Sequence, residues 1–213
     1  MVIIWDFNGT LLNDMQVCID CMNVMLKERK LPSLDIDRYR NIFTFPVREY
    51  YLSLGFDFAL EPFEIPAHQF IDLYRNHLPS APLHSYTTEI LDYFHQHNIK
   101  QVILSAMEQD FLIKTLEQKG IMKYFDRVCG ITNHLADGKL DMAKELIGSI
   151  GGTDQEIWLI GDTVHDFEVA QGLGIPCILI AQGHQSFVKL KDLDCLVLNE
   201  MEELKQLILT GKN

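Results

Sequence analysis

The chain contains 213 residues, of which 18 are Lys or Arg and 30 are Asp or Glu, so its formal net charge is −12. Such an acidic chain is a poor candidate for nonspecific binding to nucleic acid or to anionic membranes. Its apolar fraction of 47% and charged fraction of 23% are ordinary for a globular protein and exclude a disordered chain. No apolar run is long enough to span a membrane, and no basic segment precedes the apolar run at residues 2–5, so we expect neither a membrane span nor a signal peptide.

The five cysteines predict a reducing, cytoplasmic environment, because their number is odd and no export signal accompanies them. Cys18 and Cys21 form a C-x-x-C pair within an apparently helical run. A redox or metal motif is one interpretation of that spacing. Core packing is the favoured interpretation, because free cysteine behaves as a small hydrophobe and no second Cys or His pair stands at zinc-site spacing.

The first part of the chain combines one strand with a long helical stretch. Val2 to Trp5 is a short apolar run typical of a buried strand. Asn13 to about Lys30 carries Met, Val, Ile and Leu at helical spacing. The pattern of residues 31–83 then predicts several helices joined by turns that contain proline, and these residues show no alternating strand pattern.

From residue 88 onward, strand patterns alternate with helix patterns, which predicts βαβ units and a mainly parallel sheet. The predicted strands are 101–104, 127–130, 156–160, 177–180 and 195–198, and the predicted helices are 89–97, 110–119, 140–149, 166–172 and 201–209. We therefore expect an α/β fold, with a Rossmann-like parallel-sheet core and an inserted all-helical domain. The core would comprise residues 1–14 and 84–213, and the insertion would comprise residues 15–83.

Polar residues follow the predicted strands at the edge where parallel sheets bind their ligands. Asp6 follows the first strand, Ser105 the second and Asp162 the fourth, and Lys139 stands just before a helix. A carboxylate can attack phosphorus, two neighbouring acidic groups can bind Mg²⁺, and a lysine with a hydroxyl can hold phosphate oxygens. Gly9 allows the backbone to turn closely about a phosphate. This pattern predicts phosphoryl transfer to a carboxylate.

Four short motifs, in chain order, resemble those of the haloacid dehalogenase-like (HAD) hydrolase superfamily. Residues 6–11 (D-F-N-G-T-L) resemble its first motif, and residues 161–166 (G-D-T-V-H-D) resemble its fourth, G-D-x-x-x-D. Ser105 fits the second motif. Lys139, which follows Gly138, fits the third.

The predicted insertion is similar to the cap of the phosphoglycolate phosphatase-like branch of that superfamily. Residues 45–50 (F-P-V-R-E-Y) are similar to a cap segment of that branch. Residues 123–126 (K-Y-F-D) are similar to its short Y-F-D stretch before the third strand. The resemblance thus extends along the whole chain.

The resemblance implies a set of roles. Asp6 would be the nucleophile, and Mg²⁺ would be held by Asp6, the backbone carbonyl of Asn8 and Asp162. Asp166 would be a further metal ligand or an anchor. Lys139 would bind the phosphoryl group and offset the clustered negative charge. The expected substrate contacts are loop residues beside the phosphate and one cap arginine: Gly9, Thr10, Ser105, Ala106 and Arg48.

Three assignments have alternatives. Lys144 lies five residues after Lys139 and is a second candidate for the phosphate-binding lysine, although Lys139 has the position expected before the helix. His165 lies inside the fourth motif and either contacts the leaving group or is an exposed loop side chain. Arg48 either meets a substrate anion or lies on the surface of the cap.

Position 8 departs from the family pattern. Phosphatases of this family usually carry an Asp there, which protonates the leaving alkoxide and then activates water, whereas this chain has Asn8. An amide cannot exchange a proton at useful pH, and general acid–base catalysis contributes about 10²–10⁴-fold. Three explanations follow: substrates with good leaving groups such as acyl phosphates, another proton-transfer group such as His165 or a cap residue, or a protein that binds phospho-ligands without turnover.

The leading functional prediction is a Mg²⁺-dependent phosphatase with a mobile cap, acting on a small phosphorylated metabolite such as a phosphoglycolate-like monoester. A carbon–halogen hydrolase that uses Asp6 without Mg²⁺ is less favoured, because the intact G-D-x-x-x-D motif indicates a metal site. A sensor that binds a phosphorylated ligand is the non-enzymatic alternative, and Asn8 is its main support. The sequence is compatible with a monomer or a homodimer.

Overall fold

One parallel sheet organises the chain, for which the computed structural model describes residues 1–131, 139–149 and 156–210. Within these residues it has six strands in the order β3-β2-β1-β4-β5-β6, and every neighbouring pair is parallel. The strands are β1 (Val2–Trp5), β2 (Lys100–Glu108), β3 (Arg127–Ile131), β4 (Ile157–Gly161), β5 (Cys177–Ile180) and β6 (Leu196–Leu198). The predicted α/β fold class with a Rossmann-like parallel sheet is confirmed.

The helices lie on both sides of the sheet and between β1 and β2. They are α1 (Met15–Glu28), α2 (Ile36–Ile42), α3 (Val47–Leu54), α4 (Glu64–His77), α5 (Thr87–Gln96), α6 (Gln109–Gln118), α7 (Lys139–Ser149), α8 (Val164–Leu173), α9 (Phe187–Leu190) and α10 (Met201–Thr210). In the portion of the chain with described coordinates, no helix is long and apolar enough to cross a membrane.

The first strand is buried on both faces, which explains its unbroken apolar run. Because side chains alternate along a strand, Ile3 and Trp5 join one core cluster, with residues of α5, α6 and α10. Val2 and Ile4 join a second cluster on the other face, with residues of α7 and α8. The sheet therefore has a hydrophobic layer on each side.

The strand order reverses its direction of growth between β1 and β4, which pair with each other. Ligands of open α/β sheets bind at such a switch point, beyond the carboxyl ends of the strands. Asp6 directly follows β1, and Asp162 directly follows β4. The topology therefore brings these two carboxylates to one point on the sheet edge.

Helices α1 to α4, which we call the helical insertion, surround a third cluster of buried residues. That cluster is rich in aromatic rings, including Tyr39 and Tyr50, whose ring centroids lie 5.9 Å apart. The helical character predicted for residues 31–83 agrees with α2, α3 and α4. The division into domains at residues 15 and 83 stays a prediction.

Two details differ from the sequence prediction. Strand β2 continues to Glu108, so Ser105 and Ala106 lie inside it rather than after it, and its pairing with β3 shifts register between Leu104 and Glu108. Helix α9 was not predicted, because its four residues are too few to show a helical spacing of apolar side chains. Gly138, which precedes Lys139 in the third motif, lies outside the described residues.

Candidate active site

The loop after β1 places Asp6 at the sheet edge. The Asp6 amide continues the sheet by donating to the Ile160 carbonyl at 2.9 Å, and the chain then turns sharply, with Gly9 at φ +78°. A Cβ on Gly9 would lie 2.5 Å from Cδ2 of His184 and closer still to an Asp162 oxygen. The loop needs glycine here for its backbone conformation and for its close approach to the second carboxylate.

The loop after β4 is fixed by Asp166 in the first turn of α8. One Asp166 oxygen accepts hydrogen bonds from the Asp162 amide at 3.2 Å, the Thr163 amide at 3.0 Å and the Thr163 hydroxyl at 2.7 Å. Thr163 and Asp166 together form a capping box at the start of α8. Asp166 therefore holds the turn that carries Asp162.

Lys139 joins the two loops from the first turn of α7. Its Nζ lies 2.6 Å from the other Asp166 oxygen and also contacts Oδ1 of Asp6. Burial alone would lower the pKa of Lys139, but Asp166 and Asp6 more than offset burial and raise it. Burial would raise the pKa of Asp166, but Lys139 holds it below its usual value. This lysine is therefore a permanent cation in the site.

The pKa values of Asp6 and Asp162 are raised, whereas that of Asp166 is lowered. Burial is the main reason why the pKa of Asp6 rises to about 6 and that of Asp162 to about 8. The Thr10 hydroxyl lies between them, 3.2 Å from Asp6 Oδ2 and 3.0 Å from Asp162 Oδ1. Since a hydroxyl has one proton, it can donate to only one of these carboxylates at a time.

The three carboxylates fit a divalent cation. Oxygen atoms of Asp6, Asp162 and Asp166 lie within 4.8 Å of one another, and all three residues are buried. Lys139 supplies one positive charge against three potential negative charges. An all-oxygen donor set suits a hard cation such as Mg²⁺. Both Asp166 oxygens have partners in Lys139 and the β4 loop, whereas Asp6 Oδ2 and Asp162 Oδ1 share the single proton of the Thr10 hydroxyl, so Asp6 and Asp162 are the better placed ligands.

Asn8 lies beside this cluster with its side-chain amide fully engaged. Its Nδ2 donates to Asp14 Oδ2 at 3.1 Å and to the Tyr74 hydroxyl at 2.6 Å, and its Oδ1 accepts from the Ser105 hydroxyl at 3.2 Å. The Tyr74 hydroxyl also donates to Asp14. The amide is therefore oriented by a buried carboxylate and by a tyrosine of the helical insertion.

The comparison with known families agrees with this geometry. Residues 3–180 match the family described as haloacid dehalogenase-like hydrolase. The chain belongs to this family. The predicted membership in the HAD hydrolases is thereby confirmed, and with it the prediction that the protein is of a hydrolase family.

Individual HAD relatives resemble the chain over most of its length. A phosphoglycolate phosphatase of Caulobacter vibrioides is 27% identical over 192 residues, which covers 85% of this chain and 79% of that protein. A haloacid dehalogenase-like hydrolase family protein from Streptococcus pneumoniae has a TM-score of 0.83 at 18% identity, with 97% of each chain covered. A predicted phosphatase from Clostridium acetobutylicum has a TM-score of 0.77 at 21% identity, with 98% of each chain covered. These two structures share the HAD fold.

Most of the predicted site residues of this HAD chain meet in one place. Direct contacts join five of them, which are Asp6, Thr10, Lys139, Asp162 and Asp166. Gly9 approaches Asp162 closely, and Ser105 bonds to Asn8 of the same loop. Ser105 is held there by the strand irregularity, since its hydroxyl also accepts from the Met107 amide at 3.1 Å. Ala106, the next residue, is exposed.

The structure shows the surroundings of the three residues for which the sequence left alternatives, Lys144, His165 and Arg48. Lys144 is exposed and lies 3.4 Å from Asp141, whereas Lys139 contacts the carboxylates. The His165 ring packs against Phe45 in a tilted arrangement with centroids 4.9 Å apart, and its Nδ1 lies 3.5 Å from Glu168. Arg48 is an exposed residue, and its guanidinium lies over the ring of Phe58, 4.9 Å from the centroid.

His184 is a site residue that no sequence motif marks. It lies in the segment after β5, whose carboxyl end is at the same sheet edge, and this position is the signal that could have identified it. Its backbone amide donates to Asp162 Oδ2 at 2.6 Å, and its ring nitrogens lie 2.8 Å from the Tyr39 hydroxyl and 3.4 Å from Asp14. Burial would lower the pKa of His184, but Asp14 is the main cause that raises it to about 9.

The helical insertion also contacts the segment after β5. The Arg40 guanidinium of α2 donates to the Ala181 carbonyl and, at 3.2 Å, to the Gln185 carbonyl. The backbone carbonyl of Phe43 accepts a hydrogen bond from the side-chain Nε2 of Gln185 at 3.0 Å and another from Lys189 Nζ at 2.6 Å. These contacts, with those of Tyr74, hold the insertion against the sheet edge on two sides of the site.

Proposed function

We propose that the protein is a Mg²⁺-dependent phosphatase that hydrolyses a small phosphorylated metabolite through an aspartyl-phosphate on Asp6. The observation that carries the proposal is the bridging of Asp6 and Asp166 by the buried Lys139 ammonium, at the switch point of the sheet. The arrangement keeps a nucleophilic carboxylate and a phosphate-binding cation in direct contact. The phosphoglycolate phosphatase among the relatives supports a phosphomonoester of similar size as the substrate.

Asp6 attacks phosphorus through one carboxylate oxygen, while the bond from phosphorus to the leaving oxygen breaks. Lys139 and the Ser105 and Thr10 hydroxyls bind the transferring phosphoryl oxygens, which is the electrostatic support that phosphoryl transfer requires. Water then cleaves the aspartyl-phosphate and returns Asp6 to its carboxylate form. Mg²⁺, held by the Asp6 and Asp162 carboxylates and the backbone carbonyl of Asn8, would polarise the phosphoryl oxygens when bound.

Asn8 narrows the substrate class. Its amide cannot give a proton to the leaving oxygen, and both ends of the amide are already occupied by Asp14, Tyr74 and Ser105. A leaving group that departs without a proton, such as the carboxylate of an acyl phosphate, needs no such help. We therefore expect acyl phosphates to be turned over faster than alkyl phosphates of the same size.

We propose that the helical insertion is a cap that limits the size of the substrate. Tyr74 reaches Asn8 and Asp14, and the segment 39–43 contacts the residues after β5. A bulky leaving group would have to displace these side chains. Compact metabolites are therefore favoured.

The test is phosphate release from a panel of alkyl and acyl phosphates, including phosphoglycolate, with Mg²⁺ or with chelator. We expect Mg²⁺-dependent release that is abolished in Asp6→Asn. Lys139→Ala should lose at least about 10²–10³-fold, the scale of a single electrostatic contact to a transition state. Lys144→Ala, in the same helix, is the matched control and should retain activity. Peptide mass analysis must exclude deamidation at Asn8-Gly9 as the source of a trace activity.

Two outcomes would redirect the proposal. Halide release from haloacids in the presence of chelator would indicate a carbon–halogen hydrolase. Thermal stabilisation by a phosphorylated ligand without phosphate release would favour a binding protein, the alternative that the occupied Asn8 amide supports.

A further inference from the structure

We propose that Asp14, Cys18 and His184 form a second metal site, selective for a borderline or soft divalent ion of the Zn²⁺ class. The three side chains come from the end of the first loop, the first turn of α1 and the segment after β5. Their ligand atoms, a carboxylate oxygen, a sulfur and an imidazole nitrogen, all lie within 4.8 Å of one another. This proposal does not depend on the proposed function.

The donor set distinguishes this cluster from the carboxylate cluster around Asp6. Cys and His are the ligands that Zn²⁺ and similar ions prefer, whereas Mg²⁺ prefers oxygen alone. All three residues are buried, with 1% of Asp14, 9% of Cys18 and 6% of His184 exposed. The two clusters share no side chain. Different ions would therefore select different clusters.

The separation between His184 and Asp14 is that of two metal ligands rather than that of a hydrogen bond. His184 Nε2 lies 3.4 Å from Asp14 Oδ1, and Cys18 Sγ lies 3.9 Å from Asp14 Oδ2. Hydrogen bonds from nitrogen to oxygen are commonly about 2.9–3.0 Å long. Ligand atoms at tetrahedral positions on zinc, with bonds of about 2.0–2.3 Å, lie about 3.3–3.6 Å apart. The histidine–aspartate separation falls in the second range. The sulfur lies near the other Asp14 oxygen and within 4.8 Å of the remaining ligand atoms, and it would move closer to them as an ion binds.

Outer contacts orient two of the ligands. The Tyr39 hydroxyl lies 2.8 Å from Nδ1 of His184, the ring nitrogen that faces away from Asp14. Asp14 accepts from the Gly9 amide at 2.8 Å and from Asn8 Nδ2 at 3.1 Å. Metal-binding histidines and carboxylates typically have such partners, which fix the direction of their lone pairs.

The three ligands match the charge of a divalent ion. Ions of the Zn²⁺ class bind cysteine as the thiolate and histidine as the neutral imidazole, so the thiolate and the Asp14 carboxylate together balance the two positive charges of the ion. Metal binding releases the thiol proton, and any proton on the imidazole, to solvent. Three protein ligands leave a fourth position for water.

Co²⁺ is a suitable probe, because a bound thiolate gives it an intense near-ultraviolet charge-transfer band. The full chain would be stripped with chelator, freed of chelator and titrated with Co²⁺ in excess Mg²⁺, so that the carboxylate cluster is already filled. We expect one equivalent of Co²⁺ to bind with the thiolate band. Protons should be released as Co²⁺ binds in weak buffer, because the ligand sulfur must lose its proton. Competition with Zn²⁺ should remove the band.

Cys18→Ser and Cys21→Ser are a matched pair, since both cysteines are buried in α1 and only Cys18 belongs to the cluster. Cys18→Ser should lose the band and more than about tenfold in affinity, because even outer partners of a ligand contribute about 10–100-fold. Cys21→Ser should keep both. Wild-type protein that binds Co²⁺ without a thiolate band, or not at all, would overturn the proposal whatever the folding of the variants. Equal loss in the two serine variants would overturn it as well.

Discussion

The closeness of Asn8 to Asp14 predicts that a carboxylate at position 8 is destabilising in this chain. Asn8→Asp would place a second carboxylate oxygen about 3.1 Å from Asp14 Oδ2, where Asn8 now donates a hydrogen bond. At that separation and an effective dielectric constant of 20, like charges repel by about 5 kcal/mol. The two carboxyl groups avoid part of this repulsion if one of them stays protonated. Keeping a carboxyl group protonated at pH 7 costs at most about 4 kcal/mol. We expect a loss of about 2–4 kcal/mol in the free energy of unfolding.

Urea unfolding between pH 4 and pH 8, in chelator, measures this loss. The shared proton is bound more tightly in the folded than in the unfolded chain, so its carboxyl pKa is raised on folding. Stability relative to wild type is therefore equal near pH 4 and falls as the pH rises. Asn13→Asp makes the same chemical change at a half-buried neighbouring position and should cost about 0.5 kcal/mol or less.

The double variant Asn8→Asp/Asp14→Asn exchanges the amide and the carboxylate and leaves one negative charge. It should recover at least about 1 kcal/mol of the loss, because the two changes are in contact and are not additive. A single variant as stable as wild type at pH 8 would refute the reasoning. A double variant no more stable than the sum of the two single changes would refute it equally.

Three further outcomes are expected. Gly9→Ala should cost about 1–3 kcal/mol more in urea unfolding than Gly120→Ala, because both glycines have positive φ but only a Cβ on Gly9 would overlap a neighbour; equal losses would contradict this. In chelator, the free energy of unfolding of the wild-type chain should fall as the pH rises from 5 to 9. The pKa values of Asp6 (about 6), Asp162 (about 8) and His184 (about 9) are raised in the folded chain, which therefore binds more protons there than the unfolded chain does. Mg²⁺ should raise the unfolding temperature more at pH 8 than at pH 5.5, because over that interval Asp6 loses its proton and Asp162 begins to lose its own; an equal rise at both pH values would argue against these ligands.

The sequence was sufficient to predict the framework of the site. The apolar run of β1 and the residues that follow it fix the place of Asp6, and the alternation of strands and helices implies that Asp162 reaches the same edge. Lys139 was distinguishable from Lys144 by its place before the helix, and it is the one that lies against Asp6 and Asp166.

The partners of Asn8 and His184 could not be predicted in the same way. Tyr74 reaches Asn8 across 66 positions of the chain, and Tyr39 reaches His184 across 145. Such contacts depend on how the helical insertion packs on the sheet, and periodicity within one helix carries no information about it. The surroundings of Arg48 could not be predicted either: its charge is consistent with an anion contact or with a surface position, and its guanidinium lies 4.9 Å from the centroid of the Phe58 ring.

Asn8 is best understood together with Asp14 and His184 as one unit of buried charge. The Asp14 carboxylate is balanced by the protonated His184 ring, and the side chains that bind the Asn8 amide are Asp14, Tyr74 and Ser105, none of which is cationic. A carboxylate at position 8 would therefore add a charge that its own neighbours cannot neutralise. The amide lets position 8 keep its hydrogen bonds to Asp14 and Tyr74 without that charge. By this argument, regaining a proton donor at position 8 requires a change at Asp14 as well, so Asn8 and Asp14 must be changed together when turnover is tested.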